Sequence, residues 1–223
     1  MKRHRLKGVA IVEFSFVTLV LVPLLLGTIG FGIRLVQSMQ TVQLARDAGR
    51  MYARGLDFSQ PGNQTTLTTV GADVGLRTDA TSSAVLVLTT LTYIDKSMCQ
   101  GAGKSLDASG NPINCPNYKQ WVFTQRLTIG KASLHTSNLG SPLTSGPGNV
   151  HMDATTGNIP IFDQVNNTND VATFAAGTPF IAVSGGWNTM PSGQMLYITE
   201  AASQGFTMPI YDNGGLIYAF NVF

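Results

Sequence analysis

A single acidic residue, Glu13, lies near the start of a long apolar stretch at the N-terminus. It is the only charged residue between Gly8 and Ile33. A carboxylate at the centre of a membrane helix costs on the order of 2.5 to 3.5 kcal/mol, and less near the end, so such residues are usually retained for a partner. We expect that partner to be a cation at the same depth.

The only two cysteines, Cys99 and Cys115, lie on either side of a polar insert between two predicted strands. Outside the cytoplasm, two such cysteines favour a disulfide over a metal or redox pair. A disulfide closing a loop of this length would stabilise the fold by roughly 3 kcal/mol. No CxxC motif or nearby histidine accompanies them, so we predict a disulfide and no metal site.

No arrangement of residues predicts an enzyme. His135 and His151 are the only histidines after the basic N-terminal segment, and we interpret both as surface residues in Ser- and Thr-rich loops. The Ser184-Gly-Gly segment lacks the full G-x-S-x-G pattern, and HExxH, P-loop and dinucleotide motifs are absent from the sequence. We therefore expect no catalytic residue, no cofactor, no nucleic-acid partner and no small-molecule substrate.

The element that must carry Glu13 is a membrane-spanning helix. Residues 14–33 are uncharged, and 20 residues at about 1.5 Å each span roughly 30 Å, the thickness of the hydrocarbon core of a bilayer. A secretory signal has an apolar region of only about 7 to 15 residues. Pro23 should bend this helix without ending it.

The flanking charges orient the helix. Four cations precede the apolar segment, and Arg34 is the lone cation just after it. The positive-inside bias then places the N-terminus in the cytoplasm and the chain after Arg34 on the other side of the membrane. Charged residues form only 12% of the 223 residues, well below the roughly 25% of soluble domains.

The helix is predicted to continue outside the membrane as an amphipathic segment, residues 34–55. Apolar residues recur at intervals of three and four: Leu35, Val36, Met39, Val42, Ala45, Ala48, Gly49 and Tyr52. Arg46, Arg50 and Arg54 form a basic stripe, which we interpret as a solvated face; a lipid or partner contact is the alternative. Gly55 is placed to end the helix in a left-handed conformation.

Residues 56–223 predict a β-rich outer domain. Runs of Val, Thr, Tyr and Phe between turn residues indicate strands at 84–94, 121–129, 180–184, 194–199 and 216–222. We see no crossover helix of useful length, so the pairing should be mostly antiparallel. The predicted class is α+β, with a sheet packed on the outer half of one long helix.

Two further patterns lie in this domain. Residues 107–113 and 153–161 both contain Asp, Gly, Asn and Pro, which predict tight turns and are too poor in carboxylates for a calcium loop. After Lys131 the chain has five acids and no Lys or Arg. We interpret these acids as part of a polar outer surface; head-to-tail attraction to the basic stripe is the alternative.

The N-terminal residues carry a family resemblance. Residues 8–33, GVAIVEFSFVTLVLVPLLLGTIGFGI, resemble the TadE-like family of the tight-adherence (Tad) pilus system in their Gly, Glu13-Phe14, Pro-Leu and Phe-Gly positions. Residues 43–55, QLARDAGRMYARG, are similar to the Ala- and Arg-rich helix that follows in that family. Together these segments cover about the first quarter of the chain.

The resemblance implies processing and a charge partner. A prepilin peptidase would cut between Gly8 and Val9, removing a leader of residues 1–8 and leaving a membrane helix of residues 9–33. Glu13 would then be the fifth residue of the mature chain, matched in depth to the free amine of Val9 on a neighbouring subunit. Val9 instead of Phe, and Phe14 instead of the Tyr of Flp major pilins, favour a minor component.

Two functions from different classes follow. In the first, the chain is a minor pseudopilin of the bacterial inner membrane with a pilin-like outer domain, taking part in pilus biogenesis and adhesion. Its partners would be membrane lipid, prepilin peptidase, other pilins and pseudopilins, and the Tad platform proteins. In the second, it is an uncleaved single-pass anchor whose periplasmic or extracellular domain binds an envelope or surface partner.

Overall fold

A computed structural model describes residues 7–173, 195–207 and 215–223 of the chain. The helices are α1 (Lys7–Ala53), α2 (Pro61–Val70), α3 (Lys96–Gly101) and α4 (Ile161–Asn166). The strands are β1 (Ala84–Tyr93), β2 (Trp121–Gly130), β3 (Met195–Gln204) and β4 (Leu216–Val222). Short 3-10 turns occupy Ala72–Val74, Ala132–Leu134 and Thr168–Asp170. The predicted α+β class is confirmed.

Helix α1 is one continuous element of 47 residues, about 70 Å long at 1.5 Å per residue. It continues through Pro23, as expected of a bend without a break. Its end is the predicted left-handed glycine, since Gly55 has a φ of 85°. Gly55 N–H donates to the Tyr52 carbonyl (2.9 Å) and Leu56 N–H to the Met51 carbonyl (3.1 Å), which satisfies carbonyls of the last turn.

The four strands form one antiparallel sheet in the order β2-β1-β3-β4. Every residue of β1, the second strand in this order, is buried. The free edge of β2 is partly covered by residues 157–159. Arg126 N–H donates to the Gly157 carbonyl and Ile159 N–H to the Thr124 carbonyl, both at 2.9 Å. This edge is therefore protected from pairing with another chain.

Most strand predictions are confirmed, with one change of length. The strands predicted at 84–94, 121–129 and 216–222 are present, and the run at 180–184 lies outside the described residues. Strand β3 continues to Gln204 although Glu-Ala-Ala-Ser is a poor strand sequence. Pairing on both sides explains this, since Ala201 lies opposite Leu86 of β1 and Ala219 of β4.

Three short helices were not predicted. Helix α2, PGNQTTLTTV, begins with a proline, which favours a helix start, but its four threonines are weak helix formers. Its one buried side chain, Leu67, lies in the main hydrophobic core, so tertiary packing stabilises it. Helices α3 and α4 have six residues each, too few for a periodic pattern.

The outer part of α1 packs on one face of the sheet, mainly against β3 and β4. The core there joins Leu44, Ala45, Ala48 and Tyr52 to β1 and β3 residues. Segments between β2 and β3 cover the opposite side, where a second core includes Phe123, Leu139, Val150, Ile159 and Ile198. The outer domain is thus layered as helix, sheet and covering loops.

The predicted amphipathic face begins too early. Leu35, Val36 and Met39 are 45%, 54% and 63% exposed, whereas the residues that face the sheet are buried from Thr41 onward. The strands reach the helix only from about Thr41, whose Oγ1 lies 2.8 Å from Ser203 Oγ. The apolar surface of α1 therefore continues past the predicted membrane boundary at Ile33.

Close approach of α1 to the sheet depends on Gly49. A Cβ added at this position would lie 2.6 Å from Thr199 Oγ1 and would also overlap the Phe223 ring. We expect Gly49→Ala to lower the free energy of unfolding by about 1–3 kcal/mol through overpacking. Chemical unfolding of the full chain in detergent measures this.

The matched control is Gly62→Ala in α2, where nothing lies within 4 Å of an added Cβ. This variant should be neutral or slightly more stable, because Ala favours a helix over Gly. Equal unfolding midpoints for the two variants would contradict the close packing of α1 on β3.

Candidate functional site

The exposed apolar part of α1 is the first component of the site. It is the one helix among the described residues that is long and apolar enough to cross a membrane. Its large apolar side chains project outward over the whole segment, with Phe14 at 71% exposure, Leu19 at 72% and Phe31 at 65%. Exposure of this extent in water would be unfavourable, so the segment is suited to lipid.

The polar side chains in this segment are compatible with lipid. Thr18 Oγ1 donates to the Phe14 carbonyl and Thr28 Oγ1 to the Leu25 carbonyl, each at 2.8 Å. Both hydroxyl groups therefore have a hydrogen-bond acceptor within the helix. This is favourable in lipid, because no water is available there to accept the bond. Glu13 is the only charged side chain in the stretch.

The structure places the predicted processing residues, Gly8 and Val9, and the predicted assembly residues, Glu13 and Phe14, in the first turns of α1. The backbone of Gly8 and Val9 is helical, and Glu13 follows Val9 by four residues, about one turn. Glu13 and Phe14 are exposed, and Glu13 forms no ion pair with any described residue. The carboxylate is therefore presented on the outside of the helix.

The outer end of α1 is fixed to the sheet by a buried tyrosine. Tyr52 OH donates to Gln125 Oε1 (2.7 Å) and accepts from Thr90 Oγ1 (2.6 Å). The Tyr52 ring also meets the Tyr197 ring edge-on at 5.3 Å. Burial raises the pKa of Tyr52 well above its ordinary value, so it remains a neutral hydrogen-bonding group.

The other face of the same helix turns is solvated. Arg46, Arg50 and Arg54 are all exposed, at four-residue spacing, with Asp47 beside them. This agrees with the interpretation of the arginines as a solvated face.

The predicted Cys99–Cys115 disulfide is present, with a Cα–Cα distance of 6.0 Å. Cys99 lies in α3, whose start is capped by Asp95 Oδ1 accepting from Met98 N–H (2.9 Å). Between the cysteines, Asp107 Oδ1 accepts from the N–H groups of Ser109 and Asn111 and forms one of the predicted tight turns. The second forms at Asp153, which accepts from Thr155 and Thr156.

Three of the five acids after Lys131 are buried, so the interpretation of these acids as a polar outer surface was wrong for those three. Asp163, Asp170 and Glu200 are 2%, 0% and 0% exposed. Asp153 is exposed, and Asp212 lies outside the described residues. Most of the acidic side chains after Lys131 are therefore inside the fold and not on its surface.

Glu200, in the middle of β3, is the centre of a buried hydrogen-bond cluster. Its carboxylate accepts from Ser137 Oγ, from Asn138 N–H (3.1 Å) and from Tyr218 OH (2.9 Å), and lies 3.3 Å from His135 Nε2. Burial alone would raise the pKa of Glu200, but these hydrogen bonds outweigh it and hold the pKa below its ordinary value. The cluster joins the covering segment to β3 and β4.

His135 is therefore not a surface residue, contrary to the interpretation of the sequence. Its side chain is 10% exposed and contacts both Glu200 and the Tyr218 ring, 4.6 Å away between centroids. The sequence did contain a signal that Glu200 is buried. In a strand, Glu200 lies on the same face as the apolar residues Ile198 and Ala202. Nothing in the sequence indicated which residues would meet it.

His151 does match its interpretation, since its side chain is 72% exposed. Its backbone N–H and ring Nδ1 contact Asp163 Oδ2 at 2.7 and 2.9 Å.

The other buried acid near this point is Asp170. Burial, with a smaller contribution from Asp163, raises the pKa of Asp170 to about 8. Within the described ranges, no group of three or more His, Cys, Asp or Glu side chains is arranged to hold a metal ion.

The fold and the site define a class: an α+β chain whose N-terminal helix is suited to a membrane along its first part and packs on an antiparallel sheet along its last part. Residues 8–50 match the model of the TadE-like protein family. The predicted resemblance is thereby confirmed over the segment that carries Gly8, Glu13 and Phe14. Comparisons with curated proteins and with solved structures found no match. The family match and the apolar helix together support a membrane-anchored, Tad-associated protein.

The Glu200 cluster predicts a specific pH dependence. Because the folded-state pKa of Glu200 is depressed, its stabilisation is present above the unfolded-state pKa of about 4.3 and is lost as the pH falls through the folded value. Glu200→Gln should cost about 1–3 kcal/mol at neutral pH, since Gln supplies one acceptor oxygen for several donors.

Unfolding curves of the full chain between pH 3 and 8 check this. The difference between wild type and Glu200→Gln should shrink in acid, while Asp47→Asn, an exposed control on α1, should show little effect at either end. A difference that stays constant with pH would contradict the role of the Glu200 charge.

Proposed function

We propose that this chain is a minor pseudopilin of a Tad-type pilus assembly, processed after Gly8 and acting structurally in pilus biogenesis and adhesion. The observation that carries the proposal is the TadE-like match over residues 8–50, which include Glu13, the exposed apolar part of α1 and most of its sheet-packed part. The role is structural and not enzymatic.

The charge on Glu13 supports assembly between subunits. An exposed carboxylate facing lipid is unfavourable, and Glu13 forms no ion pair within the described chain. Cleavage after Gly8 would create an amine on Val9, one turn away along the same helix. That amine on one subunit and the Glu13 carboxylate of the next would lie at matched depth and neutralise each other.

The outer part of α1 supports the same function. The helix packs along the sheet from Thr41 to Tyr52. A movement of its membrane segment would therefore move the outer domain with it. We infer an orientation with the N-terminus in the cytoplasm and the outer domain on the far side of the inner membrane. The partners are membrane lipid, prepilin peptidase, other pilins and pseudopilins, and the Tad platform proteins.

The second candidate is an uncleaved, anchored binding protein. It is favoured by a cavity of about 450 Å³ in the outer domain, lined by neutral polar and apolar side chains such as Thr92, Gln125, Gln164, Met195 and Tyr197. In that case Glu13 would lie near cytoplasmic lipid headgroups and would not be needed for assembly.

Processing is tested by the N-terminal sequence of the protein purified from membranes of its host. Mass spectrometry should show a mature chain that starts at Val9. Gly8→Val should leave the leader attached, because the peptidase is expected to recognise the glycine that precedes the cleavage site. Gly27→Val, a glycine with open space around it in the same helix, is the control and should be processed normally.

An uncleaved wild-type chain in cells with active prepilin peptidase would overturn the pseudopilin proposal. It would leave the anchored binding protein as the function to pursue.

The assembly role of Glu13 is tested separately. Glu13→Gln removes the charge but keeps the size, so it should abolish or strongly reduce pilus formation while the chain remains in the membrane with an intact outer domain. Thr18→Val, which removes a different polar group from the same apolar segment of α1, should assemble normally. Normal piliation in the Glu13→Gln strain would favour the anchored binding protein instead.

A further inference from the structure

Five buried side-chain oxygens of the described residues have no hydrogen-bond partner, and three of them are amide or carboxylate oxygens. These three are Asn117 Oδ1 and both carboxylate oxygens of Asp170. Both residues are completely buried. A buried acceptor without a partner destabilises the fold, and a charged one does so more strongly.

The two residues are held close together by Asn167. The Asn117 Nδ2 amide donates to the Asn167 carbonyl at 2.8 Å and to the Gln164 carbonyl at 2.9 Å. The Asp170 N–H donates to the same Asn167 carbonyl at 3.1 Å. The Asn117 side chain and Asp170 therefore meet at one carbonyl, where α4 passes into the 3-10 turn Thr168–Asp170.

A second carboxylate lies on the helix that leads into this turn. Asp163 lies on α4, is 2% exposed, and interacts electrostatically with Asp170. Its described hydrogen bonds, from the His151 N–H and ring, both end on Oδ2, which leaves Oδ1 for another ligand. No Lys or Arg among the described residues forms an ion pair with Asp163 or Asp170.

Two carboxylates and a further unpartnered oxygen in one part of the fold favour a bound cation. The available ligands are all oxygens, which suit a hard cation. Calcium takes six to eight oxygen ligands, including Asn side chains and backbone carbonyls, in flexible geometry. Magnesium usually keeps several of its waters, for which a fully buried position is poorly suited.

We propose that Asp163, Asp170 and the Asn117 side-chain oxygen form a calcium-binding site in the outer domain. The ion would hold three segments together: the loop just after Cys115, helix α4, and the turn that follows α4. The Asn167 side chain extends this connection, since its Nδ2 donates to the Gly148 and Asn149 carbonyls at 3.1 Å. The proposal does not depend on the pseudopilin function.

The disulfide and the calcium site would then stabilise the same part of the domain. Cys99, Cys115 and Val165 pack in one small hydrophobic cluster, and Asn117 lies two residues after Cys115. The disulfide fixes the loop that carries Asn117, and the ion fixes the α4 segment against it.

The test is thermal unfolding of the full chain in detergent after treatment with EDTA and exchange into chelator-free buffer. Calcium at about 100 times its dissociation constant should raise the midpoint by roughly 5–10 °C, with a much smaller effect from equal magnesium. Terbium luminescence, sensitised by the protein and displaced by calcium, gives an independent readout of occupancy.

Two variants assign the effect to the site. Asp170→Asn should fold, because it is nearly isosteric and removes an unpartnered charge, and it should weaken calcium binding at least tenfold. Asp107→Asn is the matched control: its Oδ1 accepts from Ser109 and Asn111 in an exposed turn, and Asn can make the same bonds. It should bind calcium as the wild type does.

A third variant tests calcium binding at the same site in case Asp170→Asn does not fold. Asn117→Asp adds a carboxylate to the site and should tighten calcium binding and enlarge the thermal shift. The proposal is overturned if the wild type shows neither a calcium-dependent shift nor terbium binding, which would indicate a protonated Asp170 or bound water. It is also overturned if Asp170→Asn responds to calcium as the wild type does.

Discussion

The contact between the outer part of α1 and strands β3 and β4 is the constraint on which the rest of the structure depends. One helix must present apolar side chains to lipid along its first part and pack closely on a sheet along its last part. Small residues make the second task feasible, because Ala45, Ala48 and Gly49 let the sheet approach the helix backbone. Larger residues here would separate the membrane segment from the domain it positions.

This contact uses both apolar packing and buried polar pairs. Leu44 and Tyr52 contribute apolar area, while the hydroxyl pairs Thr41–Ser203 and Tyr52–Thr90 fix the position of the helix along the sheet. Hydroxyl pairs of this kind add modest net stability, but a misplaced helix would leave them buried and unpaired. The register of α1 is therefore specified more strongly than its apolar surface alone would require.

The helix and most strands could be predicted from the sequence because their signals are local. Period-2 and period-3.6 patterns and Gly55 are each recognised within a short segment, and the two cysteines are only 16 residues apart. The helices α2, α3 and α4 could not be predicted, since they are short and are stabilised by distant contacts such as that of Leu67 with the core.

The buried acids were the larger error, and the reason is physical. A sequence shows that Asp163, Asp170 and Glu200 lack neighbouring cations, which favours exposure. It does not show that Ser137, Asn138 and Tyr218 converge on Glu200 from two other segments. The extent of the lipid-facing surface was missed for a similar reason, because Leu35 and Met39 have the right spacing for a buried face but no strand reaches them.

The separation between Thr41 and its partner Ser203, 162 positions along the chain, has a consequence for biogenesis. Synthesis proceeds from the N-terminus, so α1 is made long before the strands that cover its outer face. Until β3 arrives, β1 can pair only with β2, and Leu44, Ala48 and Tyr52 remain uncovered. Contacts this distant in sequence make folding slow, so the newly made domain passes through a stage in which the apolar helix face is exposed and β1 has one unpaired edge. That stage, and not the finished fold, is where a holding chaperone or an early assembly partner would act.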